Sequence, residues 1–285
     1  MRRSTLFSRS TLFVGVVAAL VGVGVAGPVD AITRGGTLDG DEHPYTGIMV
    51  AKDADGEALW RCSGALVSST LYVTAGHCVS EPAVTAEIWF RSDLEPDPEQ
   101  YGYPDTGGVS GTVYPHTDYD DSIFWAHDLG VVVLDDPVSV ARYASLAPAG
   151  YVDQMVKGRR KTGATVTAVG YGLQQVVDGN PFDDADIKLQ NDKTRYEADL
   201  MIVDVRGVGG LGIYNPGQSF MVSGDAKHGG TCFGDSGGPI LAGGTDVIVA
   251  VNSFGLNGNC AGVGGVYRVD QPDDIAFLAQ FTTDD

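Results

Sequence analysis

Three short stretches of this chain hold residue types that could do chemistry together: Thr74-Ala75-Gly76-His77-Cys78, His127-Asp128-Leu129-Gly130-Val131 and Gly234-Asp235-Ser236-Gly237-Gly238-Pro239. A serine hydroxyl is a poor nucleophile at neutral pH. It needs a base to take its proton, and donors to hold the oxyanion that forms on an attacked carbonyl. The glycines around Ser236 let the backbone bend tightly and let a substrate approach, leaving the amides of Gly234 and Ser236 free to point inward. A lone Gly-Asp-Ser turn would mean little. Here a histidine motif, which offers a candidate base, and an aspartate motif lie upstream in the order His, Asp, Ser.

The elements that must position these residues read as strands. Residues 129–134 form a compact apolar run closed by Asp135-Asp136-Pro137, and Thr165-Val166-Thr167-Ala168-Val169 alternates. Residues 247–251 are a β-branched run, and Gly265-Val266-Tyr267-Arg268-Val269 is a further strand. Each run is short and ends at Gly, Pro, Asp or Asn, as an all-β barrel or sandwich requires. The 40 glycines among 285 residues are about twice the usual share of roughly 7% and, with 13 prolines, favour strands and tight turns over long helices. One helix is expected, over about residues 272–281, where Pro272-Asp273-Asp274 makes a start and Ile275, Phe277, Leu278 and Phe281 follow at helical spacing. Two acidic stretches, residues 93–108 and 178–192, read as solvated surface loops.

The formal net charge of −19 argues against nucleic acid and anionic membrane surfaces as partners, since both would repel the chain. The N-terminus reads as an export signal: Arg2, Arg3 and Arg9 precede an apolar run of 15 residues over positions 12–26, shorter than the ~20 needed to span a bilayer as a helix. Small residues offer cleavage after Ala26 or after Ala31. Four cysteines in an exported chain suggest two disulfides, for which counting alone leaves three pairings, and their spacings suit no zinc pattern.

Taken together, the three motifs resemble the trypsin/chymotrypsin family of serine proteases, and the resemblance runs over about residues 32–285, as a secreted, bacterial-type member. It implies an all-β fold of two packed six-stranded antiparallel β-barrels with a C-terminal α-helix. Residues 1–31 would be the signal peptide (or 1–26 the signal and 27–31 a short propeptide), 32–148 a barrel carrying His77 and Asp128, and 149–285 a barrel carrying Ser236. Under the resemblance His77 is general base and then acid, Asp128 orients it, Ser236 attacks, and the amides of Gly234 and Ser236 form the oxyanion hole. His127 is expected to face away from Asp128 because adjacent strand residues point to opposite sides. His43, His116 and His228 match no motif and read as structural. The implied disulfides are Cys62–Cys78 and Cys232–Cys260; a third bridge common in the family would end at Val222, where no cysteine stands.

The resemblance also implies an activation ion pair between the amine of Ile32, in Ile32-Thr33-Arg34-Gly35-Gly36, and the Asp235 carboxylate. Cleavage after Ala31 would expose that amine directly, whereas cleavage after Ala26 would leave a zymogen. The base of the specificity pocket falls at Gly230, where a trypsin-like enzyme would carry Asp; Gly255 and Gly265 are its walls, and Thr231 and Asn252 add uncharged polar groups. A pocket for bulky uncharged side chains follows, with Ser253, Phe254 and Gly255 pairing with extended substrate backbone. The implied protein is a secreted extracellular monomer with polypeptide substrates and protein protease inhibitors as partners, needing no metal or organic cofactor. The competing reading is a catalytically silent protease-fold binding module or adhesin. A lipase is disfavoured, because no Gly-x-Ser-x-Gly elbow is present and the triad order is wrong for that fold.

Overall fold

The structure is a computed structural model that describes residues 36–95, 102–157, 164–174, 193–205, 218–224, 229–258, 260 and 262–282. In chain order the first strands are β1 (Thr37–Leu38), β2 (Thr46–Lys52), β3 (Ala58–Leu66), β4 (Leu71–Thr74), β5 (Thr85–Trp89), β6 (Val109–Pro115) and β7 (Gly130–Leu134). There follow β8 (Ser145–Leu146), a short helix α1 (Tyr151–Val156), β9 (Thr165–Gly170), β10 (Tyr196–Asp204) and β11 (Ser219–Gly224). The chain continues with β12 (Pro239–Ala242), β13 (Val247–Gly255), β14 (Gly262–Arg268) and α2 (Pro272–Leu278). No helix among the described residues is long and apolar enough to cross a membrane.

Strands β2-β3-β4-β7-β6-β5 close one barrel. A second ring runs β9-β12-β13-β14-β11-β10 and closes through antiparallel pairing of β10 with β9; β1 and β8 add to its margins. The architecture is therefore two closed six-stranded antiparallel barrels with a C-terminal helix, as the sequence implied. The pleat explains the sequence pattern: on β10 Tyr196, Ala198, Leu200 and Ile202 are buried while alternate residues face outward. β2 is buried on both sides, so Ile48 and Val50 pack with Trp89, Leu94 and Tyr171 while Met49 fills the barrel. Each such fully buried aliphatic side chain contributes about 1.5–3 kcal/mol relative to exposure. One apolar cluster crosses between the barrels, joining Met49, Leu66 and Val131 to Leu241, Val251 and Tyr267 and to Phe277 and Leu278 of α2.

α2 is shorter than expected. It ends at Leu278, and the next turn tightens, with Gln280 N bonding Phe277 O and Phe281 N bonding Leu278 O. His127 also departs from expectation. It does not lie on a strand, because β7 begins only at Gly130; a left-handed turn at His127 (φ 53°) separates its side chain from Asp128. Its ring stacks on buried His116, centroids 5.1 Å apart, and its Nδ1 faces Asp273 of α2 at 3.3 Å. His43 pairs with Asp39, while His228 and the acidic stretch 178–192 lie outside the described residues.

Register sets what the barrels present. β4 and β7 are antiparallel with Thr74 opposite Gly130, so His77, just past the end of β4, and Asp128, just before β7, emerge at the same end. In the second barrel β12 starts at Pro239, and Gly237 N bonds Asn252 O while Asn252 N bonds Gly238 O. Ser236 is thereby held beside the middle of β13.

Candidate active site

His77 lies in a single 3₁₀ turn, Gly76–Cys78, braced by a disulfide from Cys78 to Cys62 on β3. Its ring Nδ1 stands 3.1 and 3.0 Å from the two oxygens of Asp128, and its backbone N–H donates to Asp128 Oδ1 at 2.9 Å. The Asp128 side chain is wholly buried, whereas that of His77 is 29% exposed. Ser253 Oγ donates to Asp128 Oδ2 at 2.5 Å. Asp128 thus collects three donors, and with Nδ1 carrying a proton toward it, the other ring nitrogen, Nε2, is left with its lone pair. Burial alone would lower the His77 pKa, but the charge and hydrogen bond of Asp128, helped by Asp121, raise it above its ordinary 6.5.

Ser236 and His77 line the same cavity, of about 500 Å³, together with Trp60, Arg61, Cys62, Leu173, Phe233 and Gly234. No hydrogen bond joins Ser236 to His77 among the described residues. The loop before the serine is tied down from several sides. Ser63 N donates to Ser236 O at 2.7 Å, and Ser63 Oγ donates to Gly234 O at 2.8 Å. Gly234 (φ 95°) and Gly237 (φ 75°) take left-handed conformations, and a Cβ on Gly237 would stand 2.0 Å from Thr74 Oγ1. With the chain turned this way, the Gly234 and Ser236 amides have no hydrogen-bond partner among the described residues.

Asp235 points away from the cavity into the interior, where Gly172 N (2.7 Å) and Cys232 N (2.9 Å) donate to its oxygens. Burial pushes its pKa up to about 6, against the pull of those amides and of Arg61. Ile32, expected to pair with it, lies outside the described residues. Cys232 is bridged to Cys260.

A second cavity, of about 390 Å³, opens on the other side of Ser236. Of the expected pocket residues, Thr231, Asn252, Ser253, Phe254 and Gly255 line it; Gly230 and Gly265 do not. Gly265 is covered by the Phe254 ring, since a Cβ there would lie 2.1 Å from Phe254 Cζ. Gly264, Val263 and Leu256 line the cavity instead, and no Asp, Glu, Lys or Arg is among its lining residues. Ser253, expected only against substrate backbone, spends its hydroxyl on Asp128. Sequence reasoning missed Arg61 and Phe233 as site residues; the one available signal was that each adjoins a cysteine, Cys62 and Cys232, fixed beside the reacting groups.

The chain is similar to known proteins over most of its length. The chain is 26% identical over 280 residues to "Trypsin iota" of Drosophila melanogaster, with 93% of each chain covered. It is 25% identical over 256 residues to "Phenoloxidase-activating factor 1" of Holotrichia diomphalia, covering 84% of this chain and 66% of that protein. Among solved structures, HL collagenase superposes with a TM-score of 0.63 at 17% identity, over 88% of this chain and 99% of that one. GrC superposes at 0.62 and 19% identity, over 86% and 97%. These two likenesses establish the fold. The curated relatives are insect proteins, so the expected bacterial-type affinity finds no support in them. The Trypsin family matches residues 34–272, most of the sequence, and the chain belongs to that family.

Proposed function

We propose that the chain is an exported serine endopeptidase that hydrolyses polypeptides through Ser236, His77 and Asp128. The observation that carries this reading is the His77 imidazole, fixed by buried Asp128 inside the cavity it shares with Ser236 and the two unpartnered amides. Ser236 Oγ adds to the scissile carbonyl carbon as His77 Nε2 takes its proton, and the oxyanion is received by the Gly234 and Ser236 N–H groups. His77 then returns the proton to the leaving nitrogen, giving an acyl-serine ester. Water, deprotonated by the same imidazole, hydrolyses that ester and restores the hydroxyl. Asp128 and the Ser253 hydroxyl hold the imidazole in the tautomer this shuttle requires. Asp235, buried and with no ion-pair partner among the described residues, is suited to receive the ammonium of Ile32 once processing exposes it, locking the loop that presents Gly234.

The 390 Å³ cavity supports a preference for bulky uncharged residues before the cut, since no carboxylate stands among its described lining residues to meet a lysine or arginine. The apolar N-terminal segment after Arg2 and Arg3 supports export. A fluorophosphonate probe tests the nucleophile: peptide mass mapping is expected to find the adduct on Ser236, and labelling elsewhere or none at all overturns the assignment.

The pH profile gives an independent check. A general base must be neutral to act, and Asp128 holds the His77 pKa above 6.5. As pH falls below that raised value the imidazole protonates, and kcat/KM is expected to drop about tenfold per unit. Stopped peptide hydrolysis between pH 5 and 9 should place the inflection above 6.5, and an inflection well below it would contradict the clamped imidazole.

A further inference from the structure

The two cavities meet at Ser236 but differ in what lines them. His77 borders only the larger. Because the leaving nitrogen takes its proton from His77, the departing part of the substrate must occupy that larger cavity. On its wall stands Arg61, within β3 and next to Cys62. Its Nε and Nη2 lie 3.0 and 3.1 Å from where a Cβ on Gly234 would be, so the guanidinium is held over the loop that receives the oxyanion. Tyr103 is its hydroxyl neighbour, and Asp235 feels its charge through the loop.

Among the described residues Arg61 Nη1 has no hydrogen-bond partner, and no carboxylate makes an ion pair with this guanidinium. A carboxylate meets a guanidinium through short charge-assisted bonds. The remaining charges on the same cavity, Glu81 and Asp121, lie exposed on the wall beside Ser80 and His77. An arriving carboxylate is therefore repelled from that wall and drawn to the other. Successive residues of an extended peptide face opposite sides, about 3.3 Å apart along the strand, which puts one of the first two departing side chains on the Arg61 wall.

We propose that Arg61 is a specificity-determining residue on the leaving-group side, selecting substrates with aspartate or glutamate at one of the first two positions after the scissile bond. This rests on the protease reading above. Internally quenched peptides that share one scissile bond and carry Asp, Asn or Lys at the first or second position after it provide the test, with products identified by mass. The wild type is expected to favour Asp over Asn about tenfold in kcat/KM at one of the two positions. In Arg61→Gln that ratio should fall to about twofold or less, and Arg61→Glu should favour Lys. Equal rates for Asp and Asn in the wild type, or a ratio that survives in Arg61→Gln, overturns the proposal. Should Arg61→Gln not fold, the wild-type ratio is followed from low to high salt: it should shrink as screening grows, and a ratio indifferent to salt overturns the proposal equally. A wild type that cleaves none of the peptides and resists fluorophosphonate overturns the protease reading, and the subsite with it; one that takes the probe and cleaves without regard to charge overturns the subsite alone.

Discussion

Asparagine in place of Asp128 is expected to lower kcat by about 10⁴-fold, and alanine in place of Ser236 by about 10⁶-fold, with the fold retained in both. The two losses differ in origin. Without Ser236 there is no nucleophile, and only the oxyanion amides and substrate binding still act. In Asp128→Asn the serine hydroxyl remains, but the new amide can turn its NH₂ toward the ring, which then keeps its proton on Nε2 and cannot accept the one from Ser236. Asp128 also accepts the His77 backbone N–H and the Ser253 hydroxyl, and an amide oxygen satisfies only part of that demand. The charge that raised the His77 pKa is gone too, so the residual activity should show its acid inflection at lower pH than the wild type. Single-turnover kinetics with an activated ester and with a peptide separate these effects. A loss of less than tenfold in Asp128→Asn would mean that the imidazole is oriented by something other than this carboxylate.

The candidate site was legible in the sequence because each of its parts sits in a short local motif, and the fold brings His77 and Ser236 to one cavity with Asp128 on the imidazole. The barrels were legible for a related reason: short apolar runs closed by turn residues admit few other folds. What stayed hidden depends on contacts between residues far apart in the chain. Ser253 donates to Asp128 across 125 positions, and Ser63 ties the loop of Gly234 to the first barrel across 171. The specificity cavity differs from expectation because a cross-strand neighbour intervened: Phe254 lies opposite Gly265, and its ring occupies the space that the glycine leaves. His127 misled for a local reason. An apolar run beginning at Leu129 reads as a strand that includes its polar neighbours, whereas a left-handed residue ends the pleat before them.

The largest stability effect is expected at a site that no motif announced. Arg195 has no exposed side-chain surface and is buried together with Asp39, 156 positions earlier, its Nε 2.6 Å from Asp39 Oδ2. Its remaining donors reach Thr46 O and Phe90 O, the Tyr171 hydroxyl and Gly40 O. Every arm of the guanidinium is thus used, and the ion pair ties the turn after β1 to the start of β10. Asp39→Ala would leave a buried cation without its countercharge, which typically costs about 3–5 kcal/mol, or roughly 10 °C in melting temperature for a domain of this size. Replacing both residues with leucine and methionine should recover much of that loss, because the desolvation of both ions is then avoided as well. The pair also sets an acid limit. Burial by itself would raise the Asp39 pKa, yet His43 and Arg195 bring it below its ordinary 3.8. A carboxyl whose pKa is lowered on folding contributes stability that is complete above 3.8 and disappears as pH falls through the lower folded value. Urea melts of the wild type and of Asp39→Ala should therefore be far apart at pH 7 and draw together as pH falls below 3.8 and through the lower folded value; a gap that does not change with pH would show that packing, and not the ion pair, holds this corner together.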